Sequence, residues 1–340
     1  MNRKALRKVK DKIMFLQRNR GTLVCDADTH PTDPRLLKGE LLSKYLTSEN
    51  YYHGRPIVVE ELLKEMRIAD VDIALCWQNP ATIQYTDNEN ENFESLLAAN
   101  QFICHLSETY PEQIIPAGWT DPKALGLEKA KELVEICIGE FGFFIVKMNP
   151  AQNAFPMDDP KVLEIVDLIV ARGAVPAFHF GADTPYTTPE ALKILASGNP
   201  YHPVMAVHMG GGGAGYLQAE DHYIRTRELG MMCPNIVFPL SAKRDAHMES
   251  DFISYQLAGA PFKYNLFCAS DAPYGKLNWN FGGFRSMFNS FLHGKHPDPR
   301  LQTHPGLFTK NDIQNYLGEN FIQFSITWMT HLESKYHSEV

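Results

Sequence analysis

The sequence predicts an α/β fold, a (β/α)8 TIM barrel with loop insertions over the C-terminal mouth of the strands. Eight short apolar segments alternate with amphipathic helical segments along the 340 residues. From the third strand onward these segments begin roughly thirty residues apart, the length of a strand, a loop and a returning helix. The strands are apolar almost throughout, which is typical of a parallel sheet covered on both faces. Eight such units close naturally into a barrel.

The elements follow one another in a regular order. The predicted strands cover residues 23–30, 71–77, 114–120, 143–149, 174–180, 203–209, 235–241 and 265–271. The predicted helices cover residues 59–70, 92–109, 125–140, 160–172, 188–197, 216–230, 246–258 and 312–328. An open doubly wound sheet is the alternative, but it requires a glycine-rich phosphate turn after an early strand, and the sequence has none there. We interpret the four glycines at 210–213 as a pliable turn beside something bound.

The domain organisation is expected to be simple. We expect a basic N-terminal arm or helix at residues 1–21, exposed to solvent, followed by a single barrel domain at residues 22–330. The first twenty residues carry eight basic side chains and one acidic one. Residues 272–311 are rich in proline and glycine, and they are predicted to form a long loop over the barrel mouth.

Composition limits the class of partner. The net charge of -8 argues against nucleic acid, and the absence of a long apolar run argues against a membrane. The six cysteines form no C-x-x-C pair, which favours a reducing, cytoplasmic location. We therefore expect a small-molecule substrate, and the aromatic residues of the predicted loops are compatible with a homodimer.

The first predicted strand carries candidate metal ligands. Asp26, Asp28 and His30 are two residues apart, so on a strand their side chains share one face. Two carboxylates and an imidazole in one place attract a divalent cation. Taken alone, the same residues also fit an ordinary turn in which Asp28 caps a helix.

Other strands also end in groups that bind metals or carry protons. Lys147 lies in strand four, His179 in strand five, His208 in strand six and Asp271 at the end of strand eight. Each of them alone is compatible with a structural role. Because the carboxyl ends of barrel strands share one mouth, we expect these side chains to meet there.

Four motifs in order resemble the amidohydrolase superfamily. They are Asp-x-Asp-x-His at 26–30, Phe-His-Phe-Gly at 178–181, Val-His-Met-Gly-Gly-Gly at 207–212 and Ala-Ser-Asp-Ala-Pro-Tyr at 269–274. The branch most similar to them is the amidohydrolase 2, or aminocarboxymuconate-semialdehyde-decarboxylase-like, group of metal-dependent TIM barrels. Residues 309–320 also resemble the end of that family's domain, so that the resemblance covers about residues 22–326.

The resemblance implies a metal site and two catalytic residues. It assigns one divalent metal ion to Asp28, His30, His179 and Asp271, with Asp271 and His208 as the catalytic residues. The expected ion is zinc, with manganese as the alternative because a carboxylate stands at Asp28, where the family often has histidine. A second departure is Cys268, where the family usually has glycine.

Three further side chains are candidates for substrate binding: Lys147, Tyr274 and Arg285. Other branches of the superfamily carboxylate a strand-four lysine to bridge two metals, but we favour a single metal with Lys147 as charge partner of a substrate carboxylate.

Hydrolysis is the first functional expectation. The site would activate a water to hydrolyse a small carboxylate-bearing ester, lactone or amide. The alternative is a non-oxidative decarboxylase, or a hydratase, acting on an aromatic or muconate-type acid. A barrel that has lost catalysis is a third possibility, and it would be expected to show a broken ligand set.

Overall fold

The computed structural model describes residues 3–51, 55–211 and 220–337. Gly212, Gly213 and the start of the helix predicted at 216–230 lie outside these ranges. The strands are β1 Cys25–Thr29, β2 Ile73–Cys76, β3 Ile114–Pro116 with its continuation Gly118–Trp119, β4 Ile145–Met148, β5 Val175–Gly181, β6 Val204–Gly210, β7 Ile236–Leu240 and β8 Leu266–Cys268.

The helices fill the intervals between the strands. They are α1 Arg3–Arg20, α2 Gly39–Thr47, α3 Val59–Ile68, α4 Glu89–Thr109, α5 Pro122–Glu135, α6 Pro150–Asn153, α7 Pro160–Ala171, α8 Pro189–Gly198, α9 Glu220–Met232, α10 Asp245–Ala258, α11 Leu277–Leu292, α12 Pro299–Thr303, α13 Lys310–Gln314 and α14 Asn320–His337. In the described part of the chain, no helix is long and apolar enough to cross a bilayer.

All strand pairs are parallel, and each strand pairs with the next one along the chain. After β8 the chain returns to β1. There the Asp271 amide donates to the Asp28 carbonyl at 2.9 Å, and the His30 amide donates to the Ala272 carbonyl at 2.7 Å. These bonds complete the ring, and the predicted α/β barrel is confirmed.

The N-terminal segment is a helix, one of the two forms expected for it, but one face of it is buried and not exposed to solvent. It forms α1, whose apolar residues at 6, 9, 13 and 16 recur at helical spacing and are buried in the core. Several of its basic side chains form ion pairs with the barrel helices and loops, including Lys10 with Glu333 and Lys12 with Glu112. Basic side chains of this segment therefore help to hold α1 against the rest of the chain.

Residues 272–311 contain more helix than the sequence analysis expected. Helix α11 occupies sixteen of these residues, and α12 follows it. The glycines at 282 and 283 suggested a loop, but they lie on an exposed part of α11. The phenylalanines at 281, 284, 288 and 291 share one buried face, and their burial stabilises the helix.

Gly318 allows the last part of the chain to pack directly on β1. It lies in a π-helical turn, Asn315–Glu319, and a Cβ at this position would lie 1.9 Å from the Leu23 carbonyl oxygen and 2.8 Å from the Cys25 nitrogen. We expect Gly318→Ala to destabilise the protein by about 3 kcal/mol, because the obstacle is backbone that cannot turn aside. Thermal unfolding measures the effect. Gly282→Ala is the control, since nothing lies within 4 Å of its Cβ position, and equal melting temperatures for the two variants would contradict the prediction.

Candidate metal centre

Three buried side chains meet at the mouth of the barrel. Asp28, His30 and Asp271 each offer one ligand atom, and these atoms lie within 4.8 Å of one another. Asp28 is in β1 and His30 follows it two residues later, on the same face. Asp271 reaches them because its amide is bonded to the Asp28 carbonyl. Among the described residues, these are the acidic, histidine or cysteine side chains that lie close enough together, in a group of three, to hold one metal ion.

The ring of His30 is held with a free nitrogen toward the carboxylates. Its Nδ1 lies 2.8 Å from the Gln78 carbonyl oxygen, which can only accept, so Nδ1 carries the proton. Its Nε2 lies 3.4 Å from Asp28 Oδ1 and 3.6 Å from Asp271 Oδ1. Burial, and then the charge of Lys147, lower the pKa of His30. A neutral imidazole with a backbone-bonded Nδ1 is the usual form of a histidine ligand.

Asp28 is surrounded by donors. Its Oδ1 accepts from Trp77 Nε1 at 2.8 Å and lies 3.5 Å from Lys147 Nζ, and its Oδ2 accepts from Ser241 Oγ at 2.9 Å. Burial opposes ionisation, but Lys147 and the nearby histidines hold the pKa of Asp28 well below its usual value. Asp28 is therefore a fixed carboxylate.

The pKa of Asp271 is shifted in the opposite direction to that of Asp28. Burial, and then the charge of Asp28, raise its pKa well above the ordinary value. Its backbone has a φ of 58°, which is a strained conformation for a residue with a side chain. A second buried carboxylate beside the first requires a proton or a cation to balance it. The donor set and its charge thus fit a divalent ion held by Asp28, His30 and Asp271.

His179 stands apart from these three residues. Its Nε2 lies 3.0 and 3.1 Å from the two oxygens of Asp183, and its ring centroid is 4.8 Å from that of His208. The structure thus brings together three of the four predicted ligands, and His179 as the fourth stays a prediction. Asp183 was missed in the sequence because it lies in the loop after β5, where an aspartate is unremarkable.

Lys147 is buried in an aromatic environment beside Asp28. Its Nζ lies 4.5 Å from the ring centroid of Trp77 and 5.3 Å from that of Trp119. The side chain is only 1% exposed. A carboxylate and two aromatic faces are the surroundings of a charged ammonium group, and they support the single-metal interpretation over a carboxylated lysine.

His208 is linked to the same carboxylate through a serine. Its Nδ1 lies 2.8 Å from Ser241 Oγ, and its backbone has a φ of 78°. Burial, and then the charge of His179, lower the pKa of His208 to about 3. Ser241 could not be recognised in the sequence, because it follows β7, one of the strands that end without an ionisable group.

A cavity of about 1240 Å³ opens above these residues. His30, Lys147, His179, His208 and Asp271 line its inner end, and α10 and α11 supply much of its outer wall. Tyr274 also lines it, with its hydroxyl donating to Asn79 Oδ1 at 2.8 Å and its ring centroid 5.9 Å from that of His30. Tyr274 thus lines the same cavity as the ligand candidates, and its role in substrate binding stays a prediction.

Arg285 is not at the cavity, contrary to the sequence prediction. Its Nη2 donates to the carbonyl of Asp70 at 3.0 Å, at the end of β2 remote from the mouth. The reason is the helical phase of α11, which turns Ser286 and Met287 toward the cavity and Arg285 toward Asp70. Only knowledge that residues 277–292 are helical would have revealed this orientation.

Comparison with known proteins gives similarity in structure only. No known protein family matches the sequence, and no curated protein matches it. Among solved structures, 2,6-dihydroxybenzoate decarboxylase from Rhizobium has 12% identity and a TM-score of 0.61, covering 89% of this chain and 98% of that one. A 5-carboxyvanillate decarboxylase from Novosphingobium aromaticivorans, complexed with manganese and 4-hydroxy-3-methoxy-5-nitrobenzoic acid, has 13% identity and a TM-score of 0.63, covering 90% and 96%.

A third solved structure, a protein named amidohydrolase II, has 16% identity and a TM-score of 0.57, covering 89% of this chain and 99% of that one. The chain is thus a TIM-barrel protein with a candidate metal centre at the mouth of its strands. More particularly, it has the fold of the two decarboxylases and the amidohydrolase II just described, and the resemblance predicted from the sequence is confirmed at the level of the fold.

Proposed function

We propose that this protein belongs to the amidohydrolase superfamily and is a metal-dependent decarboxylase of a hydroxylated aromatic carboxylic acid. The observation that carries the proposal is the buried triad of Asp28, His30 and Asp271 at the inner end of a large cavity. The barrels with the same fold that bear decarboxylase names add support. The hydrolase expectation has weaker support, namely the name of one protein of similar fold.

Manganese is the ion we favour. Two of the three donors are carboxylates, which suit a harder ion better than the nitrogen and sulfur ligands typical of zinc. Two decarboxylases of the same fold, one of them in two structures, are described with bound manganese. When bound, a divalent ion supplies Lewis-acid attraction for the oxygens of the substrate and balances the buried carboxylates.

The substrate acid is anionic, and Lys147 supplies a fixed positive charge at the inner end of the cavity. The ammonium group lies beside Asp28 and near two tryptophan rings, and its side chain is only 1% exposed. In this mechanism Lys147 attracts and orients the acid without forming a bond to it.

Asp271 carries the proton. It delivers a proton to the ring carbon that bears the carboxylate, and the bond to that carbon forms with a pair of ring electrons. The carbon–carbon bond to the carboxylate then breaks, its electrons restore the aromatic ring, and carbon dioxide leaves. A hydroxyl group on the ring stabilises the protonated state. His208, which lines the cavity, accepts the hydroxyl proton during this step and returns it to the phenolate oxygen once carbon dioxide has left. A solvent proton finally restores Asp271.

A substrate panel tests the proposal. The metal-stripped protein is reloaded with Mn²⁺ or Zn²⁺ and offered 2,6-dihydroxybenzoate, 5-carboxyvanillate and other hydroxybenzoates beside a set of lactones. We expect carbon dioxide from at least one acid with Mn²⁺, and a product formed in D₂O should carry one deuterium at the carbon that lost its carboxylate. Lactone hydrolysis without any release of carbon dioxide would contradict the decarboxylase proposal and favour a hydrolase.

A further inference from the structure

We propose that Ser241 is a positioning residue, which fixes His208 in one tautomer and aligns the carboxylate of Asp28. Its side chain is fully buried just after β7. Its Oγ lies 2.9 Å from Asp28 Oδ2 and 2.8 Å from His208 Nδ1. The hydroxyl thus stands between a candidate metal ligand and a candidate catalytic histidine.

The direction of both hydrogen bonds follows from the surroundings. The Asp28 carboxylate also accepts from Trp77 Nε1, so it acts as an acceptor throughout. Ser241 has one hydroxyl proton and donates it to Asp28, so its oxygen must accept from His208. His208 Nδ1 lies 3.8 Å from Asp28 Oδ2, too far for a direct hydrogen bond. The serine is therefore the link, and the proton of the neutral His208 ring is on Nδ1.

The backbone holds the serine in this place. The turn after β6 and the turn after β7 are in close contact. A Cβ added to Gly211 would lie only 2.5 Å from the Ala242 carbonyl oxygen. Ala242 has a φ of 47°, which turns the chain sharply after Ser241. Ser241, just after β7, and His208, in β6, thus lie beside two turns whose backbones are in close contact.

This tautomer selects between two roles for His208. A neutral ring with its proton on Nδ1 has a bare Nε2, so it can accept a proton but cannot donate one to an oxyanion. With the proposed hydroxylated substrate, on which this step rests, the O–H bond breaks, the proton bonds to Nε2 and the electron pair stays on the phenolate oxygen. His208 therefore acts as the acceptor for the ring hydroxyl.

The experiment reads the tautomer directly, without substrate. Long-range ¹H–¹⁵N correlation spectra of the metal-free protein report the two nitrogens of His208, assigned by their loss in His208→Gln. We expect the wild type and Ser241→Thr to show the proton on Nδ1, and Ser241→Ala to lose that preference. Titration with Mn²⁺ alone should show about 10- to 100-fold weaker binding for Ser241→Ala, as is typical when a partner of a metal ligand is removed.

Ser107→Ala is the matched control, since Ser107 is a buried serine whose hydroxyl bonds the Cys104 carbonyl in α4. It should leave both the His208 spectrum and Mn²⁺ binding unchanged. The proposal is overturned if Ser241→Ala keeps the wild-type His208 signals, or if Ser241→Thr loses them while remaining folded. Neither the His208 spectra nor the Mn²⁺ titration depends on decarboxylation. A failure of this proposal can therefore be distinguished from a failure of the proposed function.

Discussion

Asp271→Asn should lower kcat by at least about 10³-fold on the acid that the panel identifies, because asparagine has the size of aspartate but cannot carry a proton. The side chain lies at the inner end of the cavity, beside the other two ligand candidates. Steady-state kinetics at saturating Mn²⁺ measure the effect. Saturation matters because the variant also loses a candidate metal ligand and so binds Mn²⁺ more weakly. The decrease in kcat that remains at saturating Mn²⁺ reports the loss of proton transfer.

The stability of the same variant distinguishes a catalytic loss from a folding defect. Burial and the neighbouring Asp28 raise the pKa of Asp271, so the folded protein favours the uncharged form of this side chain. A neutral asparagine satisfies that preference at every pH. The metal-free variant should therefore melt no lower than the metal-free wild type near neutral pH.

The control for Asp271→Asn is Asp167→Asn, which makes the same change on the exposed face of α7. It should leave kcat unaltered. If Asp271→Asn retains wild-type turnover at saturating Mn²⁺, Asp271 is not the proton carrier, and the proton must reach the ring carbon from another group.

The three residues that the sequence predicted to meet, and that do meet in the structure, share one property. Asp28, His30 and Asp271 are ionisable groups at the ends of otherwise apolar strands, and the barrel topology alone brings such ends together. Their meeting could therefore be predicted without any knowledge of loops.

The residues that were missed or misplaced depend on local geometry. Ser241 and Trp77 are each linked to the site by a hydrogen bond to Asp28, and neither residue type at a strand end indicates such a contact in the sequence. Arg285 was misplaced because the direction of a side chain on α11 depends on helical phase. Periodicity predicts which elements form, whereas side-chain direction outside the strands requires coordinates.

Removal of the metal should abolish turnover, and Mn²⁺ should restore it. The reason is electrostatic. In the absence of a cation, Asp28 and Asp271 place two carboxyl groups in one buried site, with Lys147 as the ion-pair partner of Asp28. Elemental analysis should find one divalent ion per chain in active protein. Mn²⁺ at 100 times its Kd should stabilise the folded state by about 2.7 kcal/mol, measured as a rise in melting temperature.

Ligand variants then test which side chains hold the ion. His30→Ala should lose the thermal response to Mn²⁺, because it removes the nitrogen that lies 3.4 and 3.6 Å from the two carboxylates. His179→Ala should weaken Mn²⁺ binding to a similar extent if its ring leaves Asp183 to become the fourth ligand, as the sequence predicts. His105→Ala, on the outer helix α4, is the control. A wild-type protein that is fully active after exhaustive chelation, with no ion detected, would contradict the metal-dependent mechanism, because the two buried carboxylates would then have to be balanced by protons alone.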